Sequence, residues 1–175
     1  MKSNNRSSHG FTILELITVI AVFSISASIA TPTYKHVIDK FRLKGAVDTI
    51  FNKIQTARAE AIKINNNTYI TFDTGGAWEM RLSSSLTCAN DFSTCVTGDW
   101  KDSASASDFR DTSISGTTLA SDSISFDFIR GTSNIGDITI TLETYSVNIH
   151  INKLGHLKTC SNNEATVSSM GYAAC

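Results

Sequence analysis

Apolar residues run almost without a break from Phe11 to Ala30, FTILELITVIAVFSISASIA, about the length that crosses a bilayer as a helix. From Tyr34 the pattern changes. Tyr34, Val37, Ile38, Phe41, Val47, Ile50, Phe51, Ile54, Ala57, Ala61 and Ile64 recur at three- and four-residue steps, which predicts one face of a helix packed on a sheet. Pro32, between the two patterns, removes one helical hydrogen bond and is expected to kink or interrupt the helix. Asn65-Asn66-Asn67 is expected to end it.

Beyond residue 67 the apolar period becomes two. Thr68 to Phe72 and Ala77 to Leu82 read as a hairpin around Asp73-Thr74-Gly75-Gly76, with Trp78, Met80 and Leu82 on one face. Residues 83–123 are rich in Ser, Thr and Asp without a sustained period, so they read as a long variable loop. About three more strands follow, marked by Ile124, Phe126 and Phe128, then Ile138, Ile140 and Leu142, then Val147, Ile149 and Ile151. The expected fold class is α+β, with one long N-terminal helix, transmembrane and then amphipathic, packed on an antiparallel sheet. The expected segments are a leader at 1–10, a membrane helix at 11–31, an amphipathic helix at 32–67 and a β-sheet head at 68–175.

At 175 residues the chain has room for an anchor and one small head. Its composition, 41% hydrophobic and 18% charged with a formal net charge of -1, excludes a wholly disordered or collagen-like chain. The crowding of Ser, Thr and Asn in the second half suits an exported protein with polar turns. Cys88, Cys95, Cys160 and Cys175 all follow the apolar segment, which suits two disulfides. Local pairing, Cys88 with Cys95 and Cys160 with Cys175, is the simplest arrangement, but four cysteines allow three connectivities and the sequence does not choose. A zinc site needs clustered ligands at short spacing, and no histidine lies near the first two cysteines. No metal or other cofactor is expected.

Lys2 and Arg6 precede the apolar run while Lys35, Lys40, Arg42 and Lys44 follow it, so flanking charge alone does not orient the span. A secretory signal has a shorter apolar region with its cleavage site after it; here a polar leader ends in Gly10 before the run begins. One carboxylate, Glu15, interrupts the span, at a cost on the order of 3 kcal/mol at a bilayer centre and less near an end. It could snorkel to the interface.

The stretch HGFTILE, from His9 to Glu15, resembles the leader junction of type IV prepilins and type II secretion pseudopilins. That resemblance implies cleavage between Gly10 and Phe11 by a prepilin peptidase facing the cytoplasm, and N-methylation of Phe11. It also implies a single-pass protein of the bacterial inner membrane with its head in the periplasm, assembled with other pilins or pseudopilins through the N-terminal helix. Glycine at the cut lets a protease bring extended backbone close. In such filaments the new Phe11 amine of one subunit is thought to pair with Glu15 of its neighbour.

Three stretches of the head resemble the GspH/FimT family of minor pilins and pseudopilins: Ala57 to Lys63, Phe126 to Gly131 and Leu154 to Lys158. The resemblance implies a minor pilin that helps prime or cap a type IV pilus, or a GspH-like pseudopilin of type II secretion. Arg58 and Glu60 themselves read as solvated helix charges. FimT-like members that act in DNA uptake carry Gly-Arg-x-Arg where this chain has Gly155-His156-Leu157-Lys158, so Lys153, His156 and Lys158 are the candidate DNA contacts. Both arginines are replaced, and lysine lacks bidentate reach to phosphate. Two of the 15 basic side chains lie in the leader, leaving 13 against 16 acidic, a poor balance for steering toward DNA.

No nucleophile elbow, HExxH, Walker or dinucleotide-binding element occurs, and the carboxylates are scattered. His36 and His150 read as surface or satisfied side chains. The sequence offers no enzyme.

Overall fold

The computed structural model describes residues 11–90, 92–94 and 100–175. Helix α1, Ile13–Ile64, runs through Pro32 without a break, so the expected interruption does not occur. The chain divides into two compact units, Met1–Ile38 and Asp39–Cys175. In the first, every described residue from 11 to 29 is exposed, large apolar side chains included. That is the surface of a helix whose solvent is lipid or other chains.

In the second unit α1 contributes Leu43, Ala46, Val47, Ile50, Ile54, Ala57 and Ala61 to the core, all fully buried at helical spacing. The core face begins later than the apolar pattern suggested. Tyr34, Val37 and Phe41 are exposed, and Leu43 and Ala46 take up the packing instead. Asn65 ends the helix in the left-handed conformation, φ 52°, which a short amide side chain tolerates.

The strands are β1 Thr68–Asp73, β2 Glu79–Ser83, β3 Trp100–Ser105, β4 Ser113–Thr117, β5 Ser123–Phe126, β6 Gly136–Leu142, β7 Tyr145–Ile151 and β8 Leu157–Cys160. Two short helices, α2 Leu86–Asn90 and α3 Glu164–Met170, complete the head. The expected single sheet is two antiparallel sheets of four strands, ordered β3-β2-β1-β5 and β4-β6-β7-β8. They meet where Gly75, in the β1-β2 turn, exchanges two backbone hydrogen bonds with Ile114 of β4. Strict alternation of buried and half-exposed residues along β6 and β7 puts Ile138, Ile140, Val147 and Ile149 inside. The opposite face of that sheet is polar.

Residues 83–123, expected to be a loop, hold α2, β3 and β4. Each of these strands lies at the end of a sheet, and among the described side chains the buried apolar ones are Ala104 of β3 and Ile114 of β4. An edge strand needs hydrogen bonds on one side only, and so it can form without the apolar period that marks a buried strand. The segment is anchored by Trp78, whose Nε1–H donates to Thr112 Oγ1 (3.1 Å) and whose ring stacks on Phe109.

After β8 the chain returns through α3, capped by Asn163 and ended by Gly171 at φ 76°. Cys160 and Cys175 are joined by a disulfide, and the Cys175 amide donates to the Ser161 carbonyl (3.2 Å). Cys88 is also disulfide-bonded; Cys95 lies outside the described residues. The Cys160–Cys175 bridge closes a loop of 15 residues, and restricting the unfolded chain by that much stabilises by about 3 kcal/mol. The double variant Cys160→Ser, Cys175→Ser is therefore expected to lose about that much unfolding free energy and to unfold at a lower denaturant midpoint, and an unchanged midpoint would deny the bridge a structural role.

Candidate functional site

Two places in the chain carry residues that the sequence singled out. The first is the start of α1. Phe11 and Glu15 are exposed, and Thr12 Oγ1 accepts from the Glu15 amide (3.2 Å), capping the helix. Glu15 lies in the first turn, where a carboxylate also complements the helix dipole. α1 is long and apolar enough to cross a membrane. Gly10 and the rest of the leader lie outside the described residues.

The second place lies at the C-terminal end of α1, where the three family-like stretches of the head converge. Arg58 Nε–H donates to the Gly131 carbonyl (3.1 Å). A Cβ placed on Gly155 would lie 2.5 Å from that same carbonyl oxygen and 3.2 Å from Arg58 Nε. The Arg58 side chain thus fills a notch between two turns, one before β6 and one between β7 and β8. Reading Arg58 as a solvated helix charge was wrong: its partner is a backbone carbonyl 73 residues away, a contact with no local signal. Glu60 is ion-paired to Lys63 (3.3 Å) and to Lys101 of β3 (3.4 Å). Those hydrogen bonds, Lys63's first, hold its carboxyl below the usual range.

Gly131 and Gly155 have φ of 61° and 72°, the left-handed region. Gly155→Ala should destabilise by about 2–4 kcal/mol, combining left-handed strain with the clash on Gly131. Gly171, at φ 76°, has open space around it, so Gly171→Ala should cost only the strain, about 1–2 kcal/mol. Equal losses for the two variants in thermal unfolding would show that the close approach carries no energy.

Lys153 and His156 sit in the turn between β7 and β8, exposed. Lys158 lies on β8 opposite His150 and lines a polar recess of about 320 Å³ with Asp137, Asn148, Asn162 and the Cys160–Cys175 bridge. There His150 Nδ1 and Asp137 Oδ1 are 2.7 Å apart across β7 and β6, so His150 is a satisfied surface side chain. Among the described residues, no three His, Cys, Asp or Glu side chains are placed to hold a metal.

A protein-family model described as type II transport protein GspH matches residues 46–155, and one described as the prokaryotic N-terminal methylation motif matches residues 5–31. No curated protein sequence matches the chain. Two crystal forms of the type IV minor pilin FimU from Pseudomonas aeruginosa share the fold, with TM-scores of 0.52 and 0.53 at 13% and 15% identity. The alignments cover 69% and 70% of this chain and 94% and 90% of FimU.

Proposed function

Because the chain belongs to the type II transport protein GspH family, we propose that it is a minor pilin, held in the inner membrane by α1 before assembly into a type IV pilus. The observation that carries this reading is the junction at the start of α1. A methylation motif over residues 5–31 coincides with an apolar helix whose only charge between Phe11 and Tyr34 is Glu15. Prepilin peptidase cleaves after Gly10, and Phe11 becomes the N-methylated first residue. The helix then exchanges lipid for the apolar surfaces of neighbouring subunits, and Glu15 exchanges interfacial water for a neighbour's amine. The head faces the periplasm, where the cysteines oxidise. The role is structural, and no reaction is assigned to the head.

The fold shared with FimU, a type IV minor pilin, supports the pilin class, and the disulfide-tied head favours the pilus over a secretion pseudopilus. The family description favours the second reading, a pseudopilus of type II secretion. Deleting the gene separates them. The pilus reading expects surface filaments to fall while exported proteins persist in the medium; the opposite pattern makes the chain a pseudopilin. DNA contact has weaker support, since both arginines of the family motif are replaced here, by His156 and Lys158.

A further inference from the structure

We infer that the paired turns at the C-terminal end of α1 form a docking surface for an acidic, aliphatic patch on a second pilin-type subunit. This rests on the filament reading above and adds the surface to it.

The two turns are built alike. In the first, Asp127 Oδ1 accepts from the amides of Ile129 (3.0 Å) and Arg130 (2.9 Å). In the second, Asn152 Oδ1 accepts from the amides of Leu154 (3.0 Å) and His156 (2.9 Å). Each turn thus fixes its backbone with an Asx side chain, closes on a left-handed glycine, and presents an aliphatic side chain two residues after the Asx. The turns are tied to each other: Ser133 donates from its amide to the Lys153 carbonyl (3.2 Å) and from its hydroxyl to the Asn152 carbonyl (3.0 Å). Arg58 locks them from the helix side.

Ile129 and Leu154 are left 73% and 61% exposed on this rigid frame. Ile62, one helical turn beyond Arg58, is 55% exposed. Large aliphatics held out on preorganised turns have no role in the head's own core, and grouped exposure of this kind marks an interaction site.

The charges around them choose the partner. Arg130 and Lys153 adjoin Ile129 and Leu154 in the chain and are exposed, and no carboxylate pairs with them among the described residues. The one carboxylate in the turns, Asp127, is committed to backbone amides. Exposed aliphatics with a cation beside each in the chain, Arg130 next to Ile129 and Lys153 next to Leu154, complement an aliphatic patch ringed by Asp and Glu. DNA fits less well: two large aliphatics, 73% and 61% exposed, offer nothing to phosphates or base edges. A lipid surface fits less well because the aliphatics stand on two fixed turns rather than along one continuous helix face.

The test places a photocrosslinking benzoylphenylalanine at Leu154 in the full-length chain, in cells, and identifies the crosslinked peptide by mass spectrometry. The expected product is a peptide from another prepilin-type subunit, from a segment rich in Asp or Glu. Ile129→Ser should lower the yield about tenfold, as truncation of a central aliphatic anchor does. The pair Arg130→Glu, Lys153→Glu should abolish it. All these side chains are exposed, and recovery of the Cys160–Cys175 peptide without reduction checks that the variants fold. A processed chain in filaments that crosslinks to nothing, to phospholipid, to DNA, or equally well after charge reversal overturns the surface while leaving the filament reading intact. A chain never processed at Gly10 overturns both.

Discussion

Gly10→Val is expected to leave a full-length precursor in the membrane and no subunit in filaments. A protease that cuts beside a transmembrane helix must hold several residues of extended backbone against its own. Valine accepts an extended conformation, so the loss would come from its branched side chain at the point of closest approach. Everything downstream depends on the cut: without it Phe11 has no free amine, and the polar leader with Lys2 and Arg6 stays attached to a helix that must pack among other helices. Gly10→Ala, which adds a single methyl, should be processed in part. Mass spectrometry of the N-terminus measures both, and a methylated Phe11 in the valine variant would remove the cleavage assignment.

Glu15→Leu has the next largest effect and separates insertion from assembly. The helix becomes more apolar, so insertion and processing should be normal. What is lost is the partner for a neighbour's Phe11 amine, an ion pair formed where little water competes. Leaving one member of a desolvated pair behind is costly, on the order of 3 kcal/mol, because the remaining charge stays unpaired. Filament content should therefore fall by roughly two orders of magnitude, with membrane content unchanged. Native filament content would reduce Glu15 to an interfacial side chain. Glu15→Gln isolates the charge, since it keeps the shape and loses the pairing.

How much of this was legible in the sequence depended on how local the determining forces are. The apolar span and the alternation in β6 and β7 are visible because each residue's burial follows from its own position along an element. Strands β3 and β4 were not visible, because their ladders to β2 and β6 hold them at sheet edges without an apolar period of two. The continuity of α1 through Pro32 and the division into two sheets are likewise set by context outside the local sequence. The start of α1 was legible, since the apolar run and its one carboxylate, Glu15, lie in a single stretch of sequence. Arg58 was not: its role appears only when Gly131 and Gly155 are brought to it, although the three stretches of the head that resemble the family are the three that meet there.

The central claim is that this chain is a processed filament subunit, and it is tested most directly by the mass of its N-terminal peptide in filaments sheared from cells. The account predicts a peptide that begins at N-methyl-Phe11, in the same fraction as the other pilins. A chain that begins at Met1, or one cut after the apolar helix, or one confined to the membrane fraction, would contradict it.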